Sequence, residues 1–515
     1  MGDGPARQRA VALLEIMERG LDAPRATPSV PPRDWVDAYA LLFRGEHAAA
    51  LAAMDAVDDG SPGAVATRAQ LEALCLGAVT VPLTPALPAD TVEGAMASFQ
   101  LSEAAHLVGR FDRCGEILAA ALEARVPPRA RLWLRLALVR VLLFRGDPAT
   151  AAAELARAEP DARTPQARRS VSCLRALIAG YAGRPEAVVA EASIVRREVV
   201  PPRTYADSGI SLTCALGLAN AGLVLAAGEL LRDGGGGPGL PLLPPTLRGY
   251  AYDILVEAAL AAGNAELAAW IMVDFDRIDF GSNAQFRAAR EAARARIEIA
   301  SGAGDPGVRR ADRAAREAAV AGVGLVGARA AVVAASSPDH AGSGDDPLRL
   351  LGARTDELRA WLARASTGGV AGERGARRID AAPQWNALTR SQQAVARLAV
   401  QGLRNQQIAE VLVLSPRTVE GHLSAIFDRL GVGDRLDIVR GGGSAVADPA
   451  VLAALTPRQA DIARELVAGG SNAEIAARMG IGVKTVEKHL HGIYRTLGTS
   501  SRAGAVARLL GAAPV

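Results

Sequence analysis

A short group built around a glycine recurs through the first 300 residues, as "LLFRGEHAAALAAMDA", "HLVGRFDRCGEILAAALEA", "LLFRGDPATAAAELARAEP", "LIAGYAGRPEAVVAEA" and "LAAGNAELAAWIMV". The anchoring glycines are Gly45, Gly109, Gly146, Gly183, Gly222 and Gly263, and from Gly109 onward the steps are 37, 37, 39 and 41 residues. Each unit reads as helix, Gly-centred turn, helix. A period of about 34–45 residues with two helices per unit is the signature of an α-solenoid, in which each repeat buries one face on its neighbours. Composition agrees. Half of the residues are apolar, much of that is alanine, and aromatics make up 4%. Alanine is the best helix former and a poor strand former, so the expected fold class is all-α. At 515 residues the chain should hold more than one domain, because single cores rarely grow past roughly 250–300 residues.

The repeats resemble tetratricopeptide repeats, diffusely. Most aromatic positions of that consensus are missing, and prolines between Cys75 and Pro88 break the register. A non-repetitive Ala-rich bundle is the alternative, and it is equally helical. The uncharged stretch Ser208 to Gly228 is long enough to span a bilayer. It also contains four Gly, two Ser, a Thr and an Asn, and it falls at the helical repeat spacing, so it is expected to be a buried helix of a soluble protein. The N-terminus carries acids early and lacks an uninterrupted apolar run, which argues against a signal peptide. Cys75, Cys114, Cys173 and Cys214 form no CxxC pair and are expected to be buried thiols in a reducing compartment. A cytoplasmic, nucleoid-associated location is the resulting expectation.

Gly/Pro/Ser-rich punctuation increases after Ser301, with helical stretches expected near Val308–Ala335 and Leu348–Ala365. The match Gly302-x-Gly304-x-x-Gly307 is not expected to bind a dinucleotide, since it follows a helical pattern and Pro306 obstructs the helix that should begin there. The expected division is a helical array at 1–300, helical segments and flexible linkers at 301–384, a first C-terminal domain at 385–440, a linker at 441–450 and a second domain at 451–515.

Those last two domains align without a gap. The first copy, "LTRSQQAVARLAVQGLRNQQIAEVLVLSPRTVEGHLSAIFDRLGVGDR", starts at Leu388, and the second, "LTPRQADIARELVAGGSNAEIAARMGIGVKTVEKHLHGIYRTLGTSSR", at Leu455. Thr389 with Gln392, Thr456 with Gln459, and Ser471 with Glu474 have capping-box spacing; Asn405, Ser415-Pro416 and Gly482 are the other expected helix starts. Each copy therefore reads as a helix, a short helix, a longer helix and a last short helix. In the third helix of the second copy, Val486, Leu490, Ile493 and Leu497 form an apolar stripe, while Lys484, Lys488, His491 and Arg495 repeat the spacing about 200° away. Lys484 and Lys488 are the chain's sole lysines. A short helix bracing an exposed basic helix is the helix-turn-helix arrangement, whose second helix lies in the major groove.

Both copies resemble the LuxR/GerE-type four-helix DNA-binding domain over about 55–60 residues each. The resemblance implies double-stranded DNA as partner and places base- and phosphate-facing residues at Lys484, Thr485, Glu487, Lys488, His491 and Arg495, with Arg458 at the family's arginine of the first helix. In the first copy the corresponding residues are Arg417, Thr418, Glu420, Gly421, Ser424 and the basic position Arg429. The copies are unequal, since Gly421 offers no side chain, Asp428 would meet phosphate, and Ser391 replaces the family's arginine. The second copy is therefore expected to be the main reader and the first a weaker or positioning module. His422 and His489 read as packing or phosphate contacts, with no metal spacing around them.

Charge follows the same division. Residues 385–440 sum to +2, residues 451–515 to +4 and residues 1–384 to −2. The family dimerises through its last helix, for which Val506, Leu509 and Leu510 are the second copy's apolar set. A dimer, or an intramolecular pair joined by Gly441–Pro449, is expected; the nine-residue linker reaches about 30 Å against a half-site spacing of about 34–36 Å. The array is expected to sense a protein or small-molecule effector, and RNA polymerase is a further candidate partner. No cofactor, no metal and no membrane are expected. An enzyme is not expected either: HExxH, GxSxG, CxxC and P-loop motifs are absent, and without lysine the ATPase domain of large LuxR-type regulators has no counterpart. The competing reading is a solenoid adaptor with vestigial DNA binding.

Overall fold

The computed structural model describes residues 4–335 apart from 238, 263, 281, 282 and 303, and then 388, 392, 395, 396, 399, 405–412, 415–430, 449–452, 455–497 and 502–509. Among these residues every regular element is helical. The array comprises α1 (Pro5–Arg19), α2 (Trp35–Phe43), α3 (His47–Val57), α4 (Pro62–Leu76), α5 (Val92–Leu107), α6 (Phe111–Glu123), α7 (Pro128–Arg145), α8 (Pro148–Ala158) and α9 (Pro165–Tyr181). It continues with α10 (Pro185–Val199), α11 (Tyr205–Asn220), α12 (Val224–Gly234), α13 (Arg248–Ala261), α14 (Ala265–Arg277), α15 (Ala284–Ala300), α16 (Gly304–Val320) and α17 (Gly324–Ala335).

The anchoring glycines make the hairpins. Gly45, Gly109, Gly146, Gly183 and Gly222 all have left-handed φ, between 62° and 86°. The residue after each glycine donates its N–H to a carbonyl five positions back: Glu46 to Leu41, Arg110 to Ala105, Asp147 to Leu142, Arg184 to Ala179 and Leu223 to Leu218, at 2.8–3.0 Å. This is the Schellman closure, which satisfies orphan carbonyls and needs a residue without a Cβ penalty at the left-handed position. Gly263 lies outside the described residues. The same closure recurs further on, where Val323 donates to Ala318 after left-handed Gly322, and α15, α16 and α17 pack in succession.

Within each hairpin the two helices differ in burial. Twelve of the sixteen residues of α11 are buried, while α8 buries Pro148, Ala151, Leu155 and Ala158 on one side. A helix buried nearly all round must be apolar nearly all round. That explains the membrane-like composition of Ser208–Gly228, which turns at Gly222 into α12; no described helix is long and apolar enough to cross a membrane. Cys114, Cys173 and Cys214 are buried and unpaired, and burial pushes the Cys173 thiol up to about 12. Cys75 is half-buried, its thiol raised to about 11 for the same reason. The Gly302–Gly307 match follows α15, a helix, and Gly307 lies in the first turn of α16. Contrary to the expectation for Pro306, α16 does begin at Gly304, because a proline in the first turn has no hydrogen bond to lose.

Helices α9 and α11 approach with backbone against backbone. A Cβ on Gly180 would stand 2.5 Å from the Gly217 carbonyl oxygen, and one on Gly217 would stand 2.5 Å from that of Ala176. At the far end of the array Arg329 of α17, 6% exposed, pairs with Asp253 at 2.8 Å and Glu257 at 2.6 Å, both on α13, and Arg296 of α15 reaches the same Asp253 at 3.4 Å. Burial opposes ionisation of Asp253, but the charges of Arg329 and Arg296 outweigh it and hold the carboxyl below its ordinary range.

The described part of the first C-terminal copy includes α18 (Asn405–Leu412) and α19 (Pro416–Leu430), and α18 packs on α10 and α12 of the array. The second copy comprises α20 (Pro449–Leu452), α21 (Pro457–Val467), α22 (Asn472–Met479), α23 (Val483–Thr496) and α24 (Arg502–Leu509), around a core of its own. The expected helix at Leu348–Ala365, the capping residue Thr389 and residues 441–448 of the linker lie outside the described residues.

Gly217→Ala should cost the array about 1–3 kcal/mol, since the obstacle is backbone and cannot rotate away. Asp253→Ala should cost about 1.5–3 kcal/mol, by removing charged hydrogen bonds to Arg329 and Arg296 and leaving buried Arg329 with Glu257 as its remaining carboxylate. Because the folded pKa of Asp253 is depressed, its contribution is present above the unfolded carboxylate's pKa and fades as the pH falls through the folded one. Urea unfolding of each variant at neutral and acid pH measures both: the wild-type advantage over Asp253→Ala should shrink in acid, and that over Gly217→Ala should not.

Candidate nucleic-acid interface

The second copy is assembled by three local devices. Thr456 accepts from the Gln459 N–H while the Gln459 side chain accepts from the Thr456 N–H, starting α21. Ser471 and Glu474 repeat the arrangement at the start of α22, and those hydrogen bonds hold the Glu474 carboxyl below its usual range. α22 ends at Gly480, φ 63°, where Ile481 donates back to Ala476 at 3.0 Å. The chain therefore turns sharply and enters α23 two residues later. Gly482 caps that helix without a side-chain hydrogen bond.

Once α23 begins, its register is set by burial. Val486 and Ile493 are fully buried, and Leu490 and Leu497 nearly so, against Ile475 and Ala476 of α22 and the apolar side of α21. Gly492 permits the close approach to α21, because a Cβ there would stand 2.6 Å from the Gln459 side chain. Lys484, Thr485, Glu487, Lys488, His491 and Arg495 are exposed, and His489 is half-buried. Among the described residues no carboxylate pairs with Lys484, Lys488 or Arg495.

Arg458 lies elsewhere. It is exposed on α21 and donates to the Met479 carbonyl at 3.0 Å, tying α21 to the end of α22. Arg502, not anticipated from the sequence, bonds Asn472 at 2.8 Å and the Gly470 carbonyl, and so ties α24 to the start of α22. Its signal was available, since it occupies the arginine position after "LGTSS", matching Arg435 after "LGVGD". Val506 and Leu509 are buried in the domain's own core, so they do not form a free apolar surface for a second chain. Leu510 lies outside the described residues.

The first copy shares the device at its third helix, where Ser415 accepts from the Thr418 N–H at 3.0 Å and Val419, Leu423 and Ile426 are buried. Arg417, Thr418, Glu420, Gly421, Ser424, Asp428 and Arg429 are exposed, and His422 is half-buried. Arg429 donates to Gln392 at 2.6 Å, which turns part of its bonding capacity toward the first helix. Asn405 is the first residue of α18 rather than its preceding cap. The exposed charges of α19 are Arg417, Arg429, Glu420 and Asp428, which cancel; those of α23 are Lys484, Lys488, Arg495 and Glu487, which leave +2.

A family model described as "Bacterial regulatory proteins, luxR family" matches residues 386–441 and 453–509. The chain carries two tandem LuxR-family domains. A stretch of 55 residues is 42% identical to proteins from Mycobacterium bovis and from two strains of Mycobacterium tuberculosis, whose names assign them to the HTH-type transcriptional regulators. That stretch is 11% of this chain and 6% of each relative, so the likeness is to one domain of much longer proteins. No solved structure matches the chain.

Leu490→Ala should remove about 2–5 kcal/mol from the stability of the second LuxR-family domain, by deleting buried methyl groups at the joint of α23 with its support. Lys484→Ala and Lys488→Ala touch no core and should leave stability within about 0.5 kcal/mol. Denaturant unfolding of residues 449–515, whose core is self-contained, distinguishes the two classes.

Proposed function

We propose that this chain is a DNA-binding transcription regulator in which the second LuxR-family domain is the main reader of the major groove. The observation that carries this reading is the division of α23 into a buried stripe, Val486, Leu490 and Ile493, and an exposed face bearing Lys484, Lys488 and Arg495. Such a face reaches phosphates as point charges and base edges as donors. Thr485, Glu487 and His491 stand on the same face; a glutamate there accepts from a cytosine amino group, so Glu487 contributes selectivity rather than attraction. Arg458 acts indirectly, by holding the turn between α22 and α23.

The first domain is a positioning module. Its exposed helix has no net charge, Gly421 leaves a gap where Lys488 stands in the second copy, and α18 is engaged with the array. Arg417, Thr418 and Ser424 remain available for a weak second contact. The array is the region that senses a partner or effector. The docked first copy also suits an adaptor whose helical domains serve protein contacts, and that alternative makes the opposite forecast for duplex binding.

Fluorescence anisotropy with a mixed-sequence duplex, at several salt concentrations, separates the readings. Full-length protein should bind with log K falling steeply against log salt, by about 0.9 for each phosphate neutralised. Lys488→Ala should weaken binding by about 1–3 kcal/mol if it contacts a base, or lower the salt slope by about one if it contacts phosphate. Gly421→Lys, at an exposed site where an added Cβ meets nothing within 4 Å, should leave affinity unchanged or raise it. Absence of duplex binding at low salt would overturn the regulator reading in favour of the adaptor.

A further inference from the structure

The array holds a partly open cavity of about 160 Å³ among α1, α2, α4, α5, α7, α9, α11 and α13. Its volume is on the order of ten times what one water needs and similar to the ~150 Å³ apolar cavity that accepts benzene in an engineered lysozyme core. Well-packed interiors have few voids of that size. Aromatic side chains, Tyr39, Phe99, Trp133, Phe144, Tyr205 and Tyr250, line the cavity among aliphatic ones such as Leu136 and Ile210.

Polar side chains line it as well, Gln166, Ser170 and Thr213 among them. Three lining side chains, each more than nine-tenths buried, have a polar atom with no protein partner: Gln70 Oε1, His106 Nδ1 and Trp133 Nε1. One accepts, one donates, and a neutral imidazole nitrogen does either. His106 is neutral: burial, with Arg140 adding to it, pulls its pKa down to about 3. The charged lining residues are Glu103 and Arg140, which are paired with each other, so the wall carries no net charge. An ion entering the cavity would lose part of its hydration and would meet a pair whose charges already neutralise each other.

We propose that this cavity is the binding site for a neutral small molecule with a single aromatic ring or a comparably apolar body and a substituent that both donates and accepts hydrogen bonds. Rings of the wall cover the body of the ligand, and the lining residues with an unpartnered polar atom, Gln70, His106 and Trp133, are those assigned to its polar end. The proposal deepens the assignment of the array as the sensing region and rests on that assignment. No cavity residue was read from the sequence as a ligand contact, although His106 is one of only two histidines before residue 300.

Full-length protein titrated with benzamide, followed by saturation-transfer NMR and calorimetry, tests it against the charged isosteres benzoate and benzylamine. Benzamide should bind saturably at one site, with both isosteres at least tenfold weaker. Gly209 lines the cavity from inside α11, and a Cβ added there meets nothing within 4 Å. Gly209→Phe should therefore fill the space and abolish benzamide binding while far-UV circular dichroism stays unchanged. Gln70→Leu and Trp133→Phe should each weaken benzamide at least threefold, and they decide the matter if Gly209→Phe fails to fold. Wild-type affinity in Gly209→Phe, or equal binding of an isostere, overturns the assignment, as does the absence of saturable benzamide binding. The same preparation titrated with duplex keeps the two readings apart: duplex binding without benzamide binding removes the cavity site and leaves the regulator standing.

Discussion

The shape of the array depends on hydrogen bonds that cap helix ends from far along the chain. Thr246 donates from both its N–H and its hydroxyl to the Leu74 carbonyl, at 3.2 and 2.9 Å. Asn283 and Gln285 each donate to the Leu107 carbonyl at 2.7 Å, and Tyr181 donates to that of Leu143 at 2.7 Å. The last carbonyls of a helix have no partner within it, and buried ones are costly to leave unmatched. Here the partners come from up to 178 residues away. An open solenoid holds contacts between neighbouring repeats. These caps add a second class of contact that draws the later helices onto α4 and α5, and the cavity lies inside the resulting curl.

In the C-terminal domains the governing constraint is smaller. A helix of fourteen residues can expose cations in a fixed direction only if its other side is held, and Val486, Leu490 and Ile493 hold it. Capping fixes where α22 starts and left-handed Gly480 fixes where it stops, so the entry angle of α23 follows from backbone chemistry. The first copy obeys the same rules at Val419, Leu423 and Ile426. What differs is the decoration of the outer face, and this is where duplicated domains are free to diverge, because surface residues away from caps and core carry little of the stability.

Local features of this kind were legible in the sequence. The Schellman glycines, the capping boxes of Thr456 and Ser471, and the two-residue offset between stripe and cations all follow from spacing within one turn or one hairpin. The closure of the array was not legible. Thr246, Asn283 and Gln285 are ordinary polar residues in sequence, and their partners are carbonyls, which carry no residue identity at all. The cavity escaped for the same reason, since its wall is gathered from eight helices. Arg458 shows the intermediate case, where the family resemblance marked an arginine as special and its bond to the Met479 carbonyl ties α21 to the end of α22.

The array and the first LuxR-family domain meet on α10 and α12. These are the outer partners of α9 and α11, whose inner faces carry Cys173, Gly209, Leu212 and Thr213 into the cavity wall. Between α9 and α11 the Gly180–Gly217 contact leaves no space even for a methyl group. A close-packed pair of this kind transmits displacement instead of absorbing it. Gly209 of the cavity wall thus belongs to the hairpin whose second helix, α12, carries part of the contact with α18. The second domain has no such link among the described residues; its core is its own, and its basic face is complete without the array. Attachment and decoration thus differ together: the copy packed on the array has a third helix whose exposed charges cancel, and the copy with a core of its own has one whose exposed charges leave +2.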